Sequence, residues 1–312
     1  GWAREECLPP LRTEVTLDHA RSVLTRISSP DLPFDRSVNP YRGCEHGCIY
    51  CFARPSHANL GLSPGLDFET RLVARPGIGA VLARELGRKG YDVAPLAIGT
   101  NTDPYQPVEA EYRVMREVLE VLAAHNHPVA IVTKGTLVER DLDLLAPMAE
   151  RRLVKVCVSV TTLDRRLARR MEPRAATPGR RLDAIRGLAQ AGVPTGVMVA
   201  PIVPALTDAE METILAAAAE AGARAASWIM LRLPQEVAGL FRDWVAARFP
   251  DRAARIMNKV REAHGGRDYD PAWGRRMRGQ GVQAALIARR FEVAVARLGL
   301  NTPQPPLRCD LF

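Results

Sequence analysis

From about Arg36 onward, short apolar runs of β-prone residues alternate with longer amphipathic segments, and this alternation restricts the fold more than any other feature of the chain. Six strand candidates stand out: Arg36 to Arg42, Ala94 to Gly99, Val129 to Thr133, Leu153 to Val160, Thr195 to Ala200 and Ala226 to Leu231. Helical patterns lie between them, over Ile78 to Arg88, Glu109 to Ala124, Arg140 to Arg151, Arg180 to Ala191 and Asp208 to Ala221. Several end at Gly or precede Pro, and Thr207 followed by Glu210 predicts a capping box. Crossovers between parallel strands are right-handed, so six successive βα units curl into an incomplete barrel or a doubly wound sheet. The expectation is a partial (βα)6 barrel. Residues 1–34 then form an N-terminal extension, residues 35–232 the core, and residues 233–312 a helical C-terminal region with a flexible connection near His264-Gly265-Gly266.

A chain of 312 residues exceeds the usual single core but is a length that an α/β barrel fills as one domain. With 47% hydrophobic and 25% charged residues, disordered and fibrous classes are excluded. No apolar run approaches the roughly 18 to 20 residues that cross a bilayer. Gly1 to Leu11 carries acidic residues and prolines where a secretory signal needs an apolar stretch, which predicts a cytoplasmic protein without a membrane partner. The net charge of +8 suits a phosphate-rich partner. Yet arginine and alanine abound while lysine is scarce, as a GC-rich genome produces, so charge alone supports nucleic acid only weakly.

Three of the six cysteines fall within one short stretch, Asn39-Pro40-Tyr41-Arg42-Gly43-Cys44-Glu45-His46-Gly47-Cys48-Ile49-Tyr50-Cys51-Phe52-Ala53. In a chain of intracellular composition that crowding favours metal ligation over disulfides. Cys44, Cys48 and Cys51 follow a C-x3-C-x2-C spacing directly after the first strand candidate, and Gly43 and Gly47 permit the tight path that brings three sulfurs to one core. Three thiolates on a four-iron cluster leave one iron open to a further ligand. The competing assignment is a structural zinc site of Cys44, His46, Cys48 and Cys51 in a nucleic-acid-binding module. It is disfavoured because the second C-x2-C-like knuckle of such sites is missing.

This loop resembles the radical S-adenosylmethionine (SAM) superfamily, whose hallmark is the same spacing with an aromatic residue before the third cysteine, here Tyr50. Within it the chain is similar, over roughly Val38 to Pro234, to the bacterial group related to spore photoproduct lyase. The resemblance implies a 4Fe-4S cluster on Cys44, Cys48 and Cys51, with SAM chelating the open iron through its amino and carboxylate groups. It also implies an external electron donor of the flavodoxin or ferredoxin type. Reductive cleavage of SAM would release methionine and a 5'-deoxyadenosyl radical that abstracts hydrogen from the substrate. A DNA lesion leads the implied substrates, with RNA, a peptide or a small metabolite as alternatives.

Ligands of parallel α/β folds bind at the carboxyl ends of the strands, where this chain places polar residues. By resemblance, Thr102, Asp103, Lys134 and Ser159 are SAM contacts, with Lys134 suited to the methionine carboxylate and Asp103 to ribose hydroxyls or the amino group. The plainer alternatives are that Asp103 caps its own turn and Lys134 snorkels to solvent. His46 and Arg42 are candidate donors behind the cluster that tune its potential, or solvated loop residues. One departure stands out: aligned on Thr102 and Asp103, the family's hydrogen-donating cysteine falls on Thr100, and a hydroxyl gives up hydrogen to a carbon radical reluctantly. Strand alternation puts Cys157 on the face of Ser159, ~7 Å deeper, making it the candidate catalytic donor, with Tyr105 second. A buried core thiol is the plainer account of Cys157.

Basic clusters occur at Arg165, Arg166, Arg169 and Arg170, at Arg180 and Arg181, and at Arg275, Arg276 and Arg278. A solvated face is their ordinary meaning. The last cluster, flanked by glycines and near Tyr269 and Trp273, suits a nucleic-acid substrate best. Cys7 and Cys309, near the ends, fit tails that fold over the mouth of the barrel.

Overall fold

The structure, a computed structural model, describes residues 12–312, so Cys7 lies outside the described residues. Among the described residues there are ten strands: β1 (Glu14–Leu17), β2 (Leu24–Arg26), β3 (Arg36–Val38), β4 (Tyr41–Arg42), β5 (Arg71–Ala74), β6 (Leu96–Ile98), β7 (Val129–Thr133), β8 (Val154–Ser159), β9 (Thr195–Ile202) and β10 (Ala225–Met230). The α-helices are α1 (Asp67–Thr70), α2 (Ile78–Leu86), α3 (Glu109–Tyr112), α4 (Val114–Ala124), α5 (Leu142–Glu150), α6 (Arg165–Met171), α7 (Pro178–Gln190), α8 (Met211–Glu220), α9 (Glu236–Arg248), α10 (Ala253–Ala263) and α11 (Gly281–Leu298).

Six strands run parallel in the order β10-β9-β8-β7-β6-β3, and β2 adds an antiparallel edge. Each crossover steps to the adjacent strand without reversing direction across the sheet. That is the winding of a barrel wall rather than of a doubly wound sheet. Among the described residues the sheet does not close, so the architecture is a partial (βα)6 barrel. Alternation along β8 shows the two faces: Val154, Val156 and Val158 enter one core with residues of α5 and α7, while Lys155, Cys157 and Ser159 lie on the inner face. No helix among the described residues is long and apolar enough to cross a membrane.

Several local expectations are corrected. The run Arg36 to Arg42 is two strands, because Asn39-Pro40 interrupts it and Pro has no N–H for a ladder; β4 pairs with β5 in a separate sheet of order β1-β5-β4. Glu109 to Ala124 is two helices, broken where Arg113 adopts φ +53°. The Thr207 and Glu210 capping box does not form. Thr207 Oγ1 accepts from Val203 N at 2.9 Å, while Glu210 accepts from Leu163 N at 2.7 Å and Thr162 Oγ1 at 2.6 Å, tying the start of α8 to the loop after β8.

The segments flanking the core, from residue 12 onward at one side and to residue 312 at the other, are woven into the fold. Besides supplying β1 and β2, the N-terminal segment is held by Glu85, which accepts from Val23 N at 3.1 Å and Leu24 N at 3.0 Å. The connection at His264 is anchored rather than flexible: the ring is buried and its Nε2 lies 2.8 Å from Leu231 O. The last residues cover the amino ends of the strands, opposite the mouth. Arg308 N donates to Arg152 O at 2.9 Å, Asn126 Nδ2 donates to Leu311 O at 3.0 Å, and Phe312 packs on Tyr91 and His127. Cys309 therefore belongs to a tail at the far end of the barrel.

Candidate active site

The cysteine loop follows β4 at the mouth and is built around two glycines with positive φ, Gly43 at +76° and Gly47 at +65°. A Cβ on Gly43 would stand 2.6 Å from Leu72 Cδ2 and 2.8 Å from Phe68 O; one on Gly47 would stand 2.1 Å from Glu69 Oε2. Backbone bonds pin the loop on both sides, from Cys44 N to Phe68 O at 2.8 Å and from Ile49 N to Met171 O at 3.0 Å. Buried Arg54 donates to Cys48 O at 3.0 Å and Gly47 O at 3.2 Å, and Gln106 bridges Glu45 N and Gly43 O at 2.8 and 3.2 Å. Arg174 and Arg54 share the buried Glu69 carboxylate beneath Gly47.

Cys44 and Cys48 are buried, Cys51 is half-buried, and none is in a disulfide. Burial raises the Cys44 thiol well above its ordinary pKa, and the neighbouring Asp103, Cys48 and Cys51 raise it further. Burial likewise pushes Cys48 up to about 12, with Lys134 opposing. Three neighbouring sulfurs that repel one another as thiolates form a donor set suited to a cationic iron-sulfur core, whose positive charge relieves that repulsion. Among the described residues, no three Cys, His, Asp or Glu side chains converge tightly enough for a single metal ion. A zinc site that includes His46 is also opposed by that ring's own contact: Nδ1 lies 3.4 Å from Asp103 Oδ2. Burial brings His46 down to about 4, so the ring is neutral at pH 7. Arg42 is exposed on β4 and does not stand behind the cluster loop.

At the strand ends, Asp103 accepts from Tyr105 N at 2.9 Å, Thr133 Oγ1 at 2.6 Å and Lys134 N at 2.7 Å. It caps its own turn and at the same time binds the loop after β6 to the end of β7 and to His46. Thr102 is buried with its hydroxyl donating to Tyr41 O at 3.0 Å. The Lys134 ammonium sits 5.8 Å from the centre of the Tyr50 ring. Burial works against its charge, but Cys48, Glu172 and Asp103 outweigh that and raise its pKa. Lys134 is thus directed at the cysteine loop instead of snorkelling to solvent. Ser159 is buried at the end of β8, its carbonyl accepting from Arg181 Nη1 at 3.1 Å.

Two further charged residues belong to the site: Glu172, which the sequence did not single out, and Arg181, which it placed in a basic cluster. Glu172 accepts from the Tyr50 phenol and from Thr161 Oγ1 at 2.8 Å, and it pairs with Arg181, both partners being only 1% exposed. Arg181 is therefore not part of a solvated basic face. Its position was legible in periodicity, since it shares a stripe of α7 with Ala184, Ile185 and Leu188. Cys157 lies half-buried beside Ser227 across Gly196, and burial pushes its thiol up to about 12. Tyr105 turns into the helix-covered core, with its hydroxyl facing Asp141 but outside hydrogen-bond geometry.

The family model of the radical SAM superfamily matches residues 38–218, more than half of the chain, running from the end of β3 into α8. The chain belongs to the radical SAM superfamily. Membership implies a 4Fe-4S cluster and SAM, and the cysteine loop supplies a fitting donor set. Protein Rv2578c of Mycobacterium tuberculosis (strain ATCC 25618 / H37Rv), described as uncharacterized, is 39% identical over 92% of this chain and 82% of its own length. Protein MJ0683 of Methanocaldococcus jannaschii, described in the same way, is 25% identical over 55% of this chain and 62% of its own. Among solved structures, spore photoproduct lyase complexed with dinucleoside spore photoproduct superposes with a TM-score of 0.66 at 16% identity, covering 91% of this radical SAM chain and 79% of the lyase. That likeness establishes a shared fold.

Proposed function

We propose that this radical SAM protein is an enzyme that cleaves SAM reductively at a 4Fe-4S cluster and abstracts hydrogen from a nucleic-acid substrate, with a DNA lesion the leading case. The observation that carries the reading is the grouping of three disulfide-free cysteines in one loop at the strand ends, near enough to act on one another's charge, with the Lys134 ammonium beside them. When bound, the cluster and SAM supply one-electron cleavage of a sulfonium C–S bond and a carbon radical able to abstract hydrogen.

The chain's own residues hold and orient. Cys44, Cys48 and Cys51 would hold the cluster, and the Lys134 ammonium would receive the methionine carboxylate by a charge-assisted bond. Thr102, Asp103 and Ser159 line the same end, and Tyr50 forms a wall beneath Lys134. Cys51 is the most exposed of the three, so an external one-electron donor of the flavodoxin or ferredoxin class would approach from its side. The DNA reading is supported by the fold shared with a lyase that binds a dinucleoside photoproduct. Where the spore photoproduct lyase group carries its donor cysteine this chain has Thr100, so hydrogen return falls to Cys157, whose thiol stays protonated at neutral pH. Its S–H bond breaks as the substrate C–H bond forms, and the thiyl radical left takes an electron from the external donor and a proton from solvent.

The deciding experiment is anaerobic incubation of iron-reconstituted protein with SAM and reductant, alone and with damaged DNA or RNA, while 5'-deoxyadenosine is measured. Alanine at Cys44, Cys48 or Cys51 should abolish its formation. Full iron loading and SAM cleavage in all three single variants would end the proposal.

A further inference from the structure

Beside the cysteine loop, two exposed aromatic rings each carry a guanidinium against one face. Phe52 directly follows Cys51 and is 41% exposed, with Arg232 Cζ 4.3 Å from its ring centre. Trp273 is 56% exposed, with Arg276 Cζ 4.0 Å from its ring centre. Four separate parts of the chain build this patch. Asp31 of the N-terminal segment holds Arg276 Nε at 2.7 Å and Gly274 N at 2.7 Å, and Ser29 Oγ accepts from Arg276 Nη2 at 2.6 Å. Met230 N donates to Met277 O at 2.8 Å, which sets the Arg276 segment against the end of β10, two residues before Arg232, and so brings both rings to one patch at the mouth.

An aromatic ring left half in water forgoes the favourable burial of its apolar area, about 25 cal/mol for each Å². Here two such rings are held in place by arginines that cover one face and leave the other open. A fixed, exposed π face backed by a cation is matched by a planar ring system carried on an anionic chain. The net charge of +8 favours the same class of ligand.

We propose that Phe52 and Trp273 are stacking platforms for two bases of a single-stranded or locally unpaired nucleic acid that crosses the mouth beside the cysteine loop. An unpaired strand is required because bases inside a duplex present their edges, and their faces become available only after unstacking. Arg276 serves beneath the Trp273 ring and not as a phosphate ligand, because its guanidinium is already engaged by Asp31 and Ser29. Arg275 and Arg278 are both exposed and both engaged, Arg275 pairing with Asp270 at 3.3 Å and Arg278 donating to Trp228 O at 3.0 Å. The inference rests on the proposed function for its class of ligand alone.

The test is equilibrium binding of a fluorescein-labelled 12-nucleotide single strand, the matching duplex and heparin to anaerobically reconstituted protein at several salt concentrations. Trp273→Ala and Phe52→Leu should each weaken single-strand binding by roughly 10-fold or more. The slope of log affinity against log salt should stay unchanged, since no phosphate contact is removed. Heparin, a polyanion without bases, should bind the variants as it binds the parent protein. Trp273→Phe should retain most of the affinity, and normal iron loading of each variant shows that it has folded. Equal single-strand affinity in Trp273→Ala, an equal loss for heparin, or duplex binding as tight as single-strand binding would each overturn the assignment. So would unchanged strand binding accompanied by slower reduction of the cluster by flavodoxin, which would give the patch to the electron donor. SAM cleavage by the parent protein without nucleic acid reports on the proposed function separately.

Discussion

The phenol of Tyr50 donates to the carboxylate of Glu172, joining the residue before the third cysteine to the end of α6 across 122 positions of sequence. Arg181 pairs with the same carboxylate and also donates to Ala176 O at 2.7 Å and Ser159 O at 3.1 Å. One buried network therefore connects the cysteine loop, the end of β8 and the start of α7. Removing one member leaves a buried charge uncompensated, which costs roughly 3 to 5 kcal/mol, whereas removing both partners costs far less. Arg181→Met should lose stability on that scale in chemical denaturation. The double variant Glu172→Gln, Arg181→Met should recover more than about 1 kcal/mol of the loss, and strict additivity would refute the coupling.

The same pair sets a pH dependence. Burial by itself would raise the Glu172 pKa, but Arg181 and Lys134 reverse this and lower it from 4.5 to about 2. A carboxylate with a depressed folded-state pKa contributes stability that is complete above its unfolded pKa and disappears as pH falls through the folded value. The melting temperature of the parent protein should therefore drop between pH 4.5 and pH 2 more steeply than that of Glu172→Gln. Parallel curves for the two proteins over that window would exclude Glu172 as the source.

Lys134 faces Cys48, Glu172 and Asp103 with its ammonium charged. Loss of a charge-assisted bond to SAM in Lys134→Ala should weaken SAM binding by roughly 1.5 to 3 kcal/mol. Calorimetric titration of the variant with its cluster intact measures this, and an unchanged affinity would contradict the assignment.

Cys157 lies one pleat repeat below Ser159 on the inner face of the sheet, beside Ser227. Cys157→Ala should divert the substrate radical to altered products and abolish incorporation of deuterium from solvent through the exchangeable thiol. The same product at the same rate with the same deuterium content would make Cys157 a core thiol. Because the Tyr105 hydroxyl turns into the helix-covered core, a donor-free reaction would then be favoured.

Much of the fold was legible because its signals are short-range. The strand Val129–Thr133 stands where its apolar β-branched residues place it, and β8, β9 and β10 differ from expectation by at most two residues at an end. Arg113 was not legible as a helix break, since nothing in its neighbours demands a left-handed residue there. Glu210 reads locally as the third residue of a capping box, yet two donors in the loop after β8 claim its carboxylate.

By itself, the sequence determined the order of βα units and the grouping of Cys44, Cys48 and Cys51, because both are written in residues a few positions apart, within reach of local backbone geometry. Tertiary structure alone decided that Arg181 meets Glu172 inside the protein, that Arg276 is held by Asp31 from 245 residues away, and that the tail bearing Cys309 covers the end of the barrel opposite the mouth. An arginine looks the same in sequence whether water or a carboxylate surrounds it. Only the packing of distant segments removes the water and leaves the buried charge to find its partner.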